Sequence, residues 1–115
     1  MTNSMLNPKD WSAAPPRRAL GATEIVSRLA RLSGWQLSGD GAAVAIEKRF
    51  EFADYFETLA FVNALAWIAH RHDHHPELLV HYNRCTVRFN THDAGGITAT
   101  DFDCAAAADS LVAAG

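Results

Sequence analysis

The segment His70-Arg71-His72-Asp73-His74-His75-Pro76 holds four of the chain's six histidines, with His81 and His92 further on. Histidine is the side chain whose unperturbed pKa lies nearest physiological pH, so a crowd of imidazoles ahead of a proline points to proton transfer or to metal binding. For a metal, His70 and His74 are four apart and share a face if the helix persists, as paired zinc ligands do, with His72 and His75 to add. For proton transfer, imidazoles must surround a pocket within hydrogen-bond reach of the reacting atoms. His92 can approach such a pocket from the opposite wall. A third reading needs no function: histidines at a helix C-terminus satisfy carbonyls and favour the helix dipole. It suits His70, His72 and His81 best, and leaves His74, His75 and His92 as the stronger candidates. Asp101, three residues after Thr98, is first of all a helix-capping carboxylate.

The elements that must position these residues can be read from periodicity. Ile25, Leu29 and Leu32 line one face of a short helix over 22–33, with Thr23 as a cap and Gly34 just past its end. Trp35–Leu37 starts a strand, and Ser38-Gly39-Asp40-Gly41 is a turn cluster. Val44, Ile46, Lys48, Phe50 and Phe52 alternate with Ala45, Glu47, Arg49 and Glu51, so the first set faces the core. Lys48 is the misfit in that set, and a place at a sheet edge would accommodate it. Asp54 and Glu57 have capping-box spacing at the head of a long helix. Its apolar residues (Phe56, Leu59, Phe61, Val62, Leu65, Trp67 and Ile68) form more than one stripe, as on a helix covered from two sides. Pro76 disfavours helical geometry at His75, so the helix should end just before it, with the histidines at a frayed end.

Leu78–Tyr82 and Arg84–Thr91 read as a hairpin around Asn83, with Cys85, Val87 and Phe89 on one face. Thr98 and Asp101 open a last helix. The order αββαββα, with hairpin-length connections, predicts an α+β domain: a four-stranded antiparallel sheet with three helices packed on one face. Residues 1–20 lack a period and are expected to be a poorly ordered extension, in which Trp11 alone is suited to docking. The domain is expected over 21–115.

At 115 residues one domain is expected. The composition, 49% hydrophobic and 20% charged, is that of an ordinary globular protein. A formal net charge of −3 argues against nucleic-acid binding, and no basic run exceeds Arg17-Arg18, which argues against an anionic membrane surface. Cys85 and Cys104 read as small core residues in a reducing compartment. No membrane span or secretory signal is recognisable, so the cytoplasm is the expected location.

The spacing from His70 onward is also a family pattern. His70 stands four before His74, which is followed by His75 and Pro76. Six residues later comes Tyr82, ten further on His92, and nine further on Asp101. Gly34-Trp35 and Phe50-Glu51-Phe52-Ala53-Asp54-Tyr55 add an upstream match. On these residues the chain resembles the pterin-4a-carbinolamine dehydratases, also known as dimerisation cofactors of a homeodomain transcription factor, over about residues 22–113. It departs from them at Leu78, where an aromatic is common, and at His70, where the animal enzymes carry an acid. The resemblance implies a hydro-lyase acting on a 4a-hydroxytetrahydropterin, the product of aromatic amino-acid hydroxylases. It implies His74 and His92 as the acid/base pair on either face of the ring, with His75 orienting the pterin. Asp73, Pro76, Asn90, Thr91 and Asp93 would serve substrate binding, and His70, Tyr82 and Asp101 would stand behind them. No metal or organic cofactor is implied. The expected partners are the pterin, further copies in a homodimer or homotetramer, and a functional link to a hydroxylase, without direct nucleic acid or membrane. Two other classes stay open: a protein-binding module on the same fold, acting as coactivator or assembly factor, and a metal-binding protein using His70, His72 and His74.

Overall fold

A computed structural model of the chain describes residues 16–113; Trp11 lies outside them. The elements are α1 (Ala22–Leu29), β1 (Gln36–Ser38), β2 (Ala45–Glu51), α2 (Tyr55–His72), β3 (Glu77–Val80), β4 (Arg84–Phe89) and α3 (Ala99–Ala113). The strands form one antiparallel sheet in the order β1-β2-β4-β3. This is the expected αββαββα domain, with the β elements shorter than periodicity suggests.

Alternation decides the sheet's buried face. Ile46 and Phe50 of β2 and Cys85, Val87 and Phe89 of β4 point into a core that Phe61 and Leu65 of α2 and Phe102, Cys104, Ala105 and Ala108 of α3 complete. The small residues of α3 let that helix approach the sheet closely. In α2 the buried stripe is Thr58, Phe61, Leu65 and Ala69. Val62 and Ile68 are partly buried against that core, whereas Tyr55, Phe56 and Trp67 are exposed in the single chain.

Four expectations are corrected. Lys48 lies in an inner strand rather than an edge strand, although β1 pairs with β2 only as far as Glu47. Its Nζ instead reaches Asp109 of α3 at 2.8 Å and the Ser33 carbonyl at 3.0 Å. The first helix stops at Leu29, and its N-cap is Gly21 with no side-chain cap from Thr23. Gly34 then turns the chain at φ +88, where an added Cβ would come within 2.9 Å of Lys48 Cε. The histidine end of α2 is not frayed either. Asp73 adopts the left-handed conformation (φ 49, ψ 48). Its N–H donates to the His70 carbonyl (3.2 Å), and that of His74 donates to the Ala69 carbonyl (3.0 Å). These are the paired reverse bonds of a Schellman cap, which satisfy carbonyls that a helix end leaves open. Finally, His70 and His74 do not share a helix face, since the left-handed residue lies between them.

Candidate active site

The cap at Asp73 separates neighbouring histidines into different environments. His70 stays on α2, where its ring stacks on exposed Trp67. His74 turns inward and is only 6% exposed. Its ring lies parallel to Phe89 with centroids 6.0 Å apart. His75, one residue on, is exposed at the entrance to β3.

Inside, His74 meets Asp101, the first-turn carboxylate of α3. Nε2 of His74 and Oδ1 of Asp101 are 2.5 Å apart. The other carboxylate oxygen accepts from the Thr98 N–H (2.8 Å) and from the Thr91 hydroxyl (2.8 Å), with the Thr98 hydroxyl at 3.4 Å. The Thr98 contact is the backward arm of the capping box that the sequence suggests. Asp101 is fully buried, and its charge is met by hydrogen bonds on both oxygens, as a buried carboxylate requires. It therefore both caps α3 and orients His74.

The second wall comes from the end of β4. Thr91 and Gly96 bond each other through backbone groups, closing a loop that presents His92 and Asp93 in a short turn, His92–Ala94. Gly95 ends that turn at φ 75, in the left-handed region glycine tolerates. The Asn90 amide donates to the Ala42 and Val44 carbonyls, which ties the turn before β2 to the same rim.

Two adjoining hollows result. One, of about 230 Å³, is lined by Arg17, Asp73, His74, His75, Asn90, Thr91, His92 and Asp93. The other, of about 270 Å³, is lined by Ala42, Ala43, Ala45, His75, Glu77, Arg88, Asn90 and His92. They share His75, Asn90 and His92. Of the candidate residues, seven thus border one hollow. Pro76 sits between His75 and β3 without lining either. Tyr82 lies elsewhere: it is exposed, its ring stacks on Tyr55, and its carbonyl accepts from Thr58. Among the described residues, no three His, Cys, Asp or Glu side chains converge to hold a metal ion.

Three residues of the rim escape a sequence reading. Arg17 falls in a stretch without periodicity. Glu77 and Arg88 pair across the β3–β4 register, where their side chains meet at 2.6 Å. Their opposite charges on adjoining strands were the available signal, and it becomes readable only once the hairpin register is known. Behind the site, burial first and the nearby Asp101 carboxylate second push the Cys104 thiol up to about 12. Burial also raises the thiol of Cys85.

Comparison with known proteins bears on this geometry. The family model for pterin 4 alpha carbinolamine dehydratase matches residues 18–111. The chain belongs to this dehydratase family. A protein of Paracidovorax citrulli, provisionally named a pterin-4-alpha-carbinolamine dehydratase, is 65% identical over 113 residues, covering 98% of this chain and 97% of its own. One of the same provisional name from Xanthomonas campestris pv. campestris is 50% identical over 110 residues and 92% of each chain. Among solved structures, a transcriptional coactivator/pterin dehydratase from Brucella melitensis superposes with a TM-score of 0.76 at 32% identity, covering 82% of this chain and 98% of that one. A pterin dehydratase-like protein identified as a RuBisCO assembly factor in the alpha-carboxysome superposes with a TM-score of 0.59 at 25% identity, covering 70% and 90%.

Proposed function

We propose that the chain is a 4a-hydroxytetrahydrobiopterin dehydratase serving tetrahydrobiopterin recycling. The observation that carries this reading is the meeting of His74, His75 and His92 at one polar hollow in a chain of this family. The reaction removes water across the C4a–N5 bond. N5 loses its proton to a base, the C4a–N5 double bond of the quinonoid dihydropterin forms, the C4a–O bond breaks, and an acid protonates the departing hydroxyl. Only protons are moved, so the reading calls on no metal and no organic cofactor. His74 and His92 are the acid/base pair on either side of the ring, and His75 orients the pterin. Asp73, Asn90, Thr91 and Asp93 offer polar groups to the pterin's amide-like edge. Pro76 sets the direction in which the chain leaves His75. Asp101 holds His74. His70 and Tyr82 stand outside the contacts with substrate.

The test is dehydration of enzymatically generated 4a-carbinolamine followed by ultraviolet absorbance, with and without EDTA. Wild type should accelerate it regardless of EDTA. His92→Ala should lose about 10²- to 10⁴-fold in kcat, the usual worth of a general acid or base. No acceleration over buffer by wild type would sink the reading.

A second reading, a protein-binding module on the same fold, draws on the solved relatives described as a coactivator and as an assembly factor. An inactive chain that recovers one stoichiometric protein partner would favour it. For either reading the expected setting is the cytoplasm. Within the described residues no helix is long and apolar enough to cross a membrane. A homodimer or homotetramer and a functional link to an aromatic amino-acid hydroxylase belong to the first reading.

A further inference from the structure

Arg17 precedes every element of the sheet, yet its side chain ends in the hollow. One guanidinium nitrogen donates to the carbonyls of His72 (2.8 Å) and Asp73 (3.1 Å). Those carbonyls close α2, where the helix dipole carries its partial negative charge, so a cation is favoured there. The other terminal nitrogen lies 3.0 Å from Nδ1 of His74. Three residues along, the Leu20 N–H donates to the Ile97 carbonyl at 2.8 Å, and Leu20 packs on the core. The segment is thus anchored beside the loop that leads to Asp101.

A guanidinium has only donors, so Nδ1 of His74 must accept. The ring proton then sits on Nε2, donated to Asp101. Together the two partners fix one tautomer and turn the Nδ1 lone pair toward the hollow that His75 and His92 also line. We propose that Arg17 is a positioning residue for His74, holding Nδ1 as an acceptor and occupying the place of the substrate's N5–H donor until substrate arrives. This rests on the dehydratase reading above. On binding, the N5–H replaces the guanidinium N–H at Nδ1, while Arg17 keeps its two carbonyls. The N5 proton passes to Nδ1, the C4a–N5 double bond forms, the C4a–O bond breaks, and His92 gives the leaving oxygen its proton. His74 releases its proton to solvent, and His92 recovers one from it.

The experiment uses the full chain with ¹⁵N-labelled histidine, comparing wild type, Arg17→Met and Arg17→Lys in nitrogen spectra and in dehydration kinetics. In wild type, the Nδ1 resonance of His74 should carry the signature of a hydrogen-bonded acceptor. In Arg17→Met it should move, and kcat should fall by about tenfold with KM within about twofold, as misplacement of a reacting group does. Arg17→Lys, which keeps a donor, should recover part of both. An unmoved Nδ1 resonance overturns the proposal, and so does a moved one with kcat and KM unchanged. A wild-type chain without dehydratase activity overturns the catalytic role together with the reading it rests on. The nitrogen spectrum then still tells a wrong reaction from a wrong contact.

Discussion

Asp101 accepts from a backbone N–H, two threonine hydroxyls and an imidazole while fully buried. Its net worth follows from the asymmetry of buried hydrogen bonds: a donor left without an acceptor loses its full solvation. Asp101→Asn replaces one of its two acceptor oxygens with a donating NH₂, which must face either the threonines or His74. The expected loss is about 1–3 kcal/mol, measured as a fall in the urea midpoint at constant m-value. A second residue-scale prediction concerns Cys104, whose thiol is raised from 9.0 to about 12. From pH 9 upward the unfolded chain releases this proton while the folded chain keeps it, so the unfolded state gains. The stability contribution is fully present below pH 9 and is lost as pH climbs toward 12. Urea midpoints at pH 10 should lie below those at pH 8, and Cys104→Ala should shrink that difference. Equal shrinkage on replacing an exposed residue would count against the assignment.

At the scale of elements, the cap of α2 explains why adjacent histidines part company. Asp73 holds a left-handed conformation that costs a residue with a Cβ up to about 1–2 kcal/mol, less for Asp than for most. Asp73→Gly relieves that cost while giving the unfolded chain more freedom. Its melting temperature should match or exceed that of wild type, yet dehydration should slow, because Asp73 lines the hollow. A variant that melts well below wild type would contradict this account. The same cap marks the limit of what the chain's letters reveal. Asp54 and Glu57 announce the start of α2 through local spacing, and the Glu57 N–H donates to Asp54 Oδ1 at 2.8 Å. The alternation around Phe50 and Val87 likewise gives the buried face, because a strand's period is local. The destination of Lys48 was not legible, because its partner Asp109 is 61 residues away on another helix. Nor was the burial of His74 beside an exposed His75, since one left-handed residue decides it. Arg17 was lost for a similar reason: nothing periodic surrounds it, and its partners lie more than fifty residues on.

For the molecule as a whole, the single chain leaves much apolar surface in water. Phe56 is 81% exposed, Tyr82 64% and Leu79 59%. Strand β3 is an outer strand with Leu78, Leu79 and Val80 all exposed, and such an edge invites pairing unless it is covered or charged. Between α2 and α3 lies a groove of about 320 Å³ floored by Phe52, Phe61, Leu111 and Val112. The chain is expected to sediment as a homodimer or homotetramer. Leu79→Lys at the strand edge or Phe56→Glu at the helices should shift the mass toward the protomer. Wild type sedimenting as a single chain would refute this. The His74–Asp101 contact also has a consequence at this scale. It joins the end of α2 to the start of α3 across 27 residues, so the inner half of the site doubles as a clasp between two helices. Evolutionary drift should then erode the site unevenly. A lineage that abandoned the chemistry could shed His75 and His92, which stand in water, but would keep His74 and Asp101 to remain folded. Descendants with a dead pocket should therefore be recognisable by a preserved buried pair behind a vacant rim.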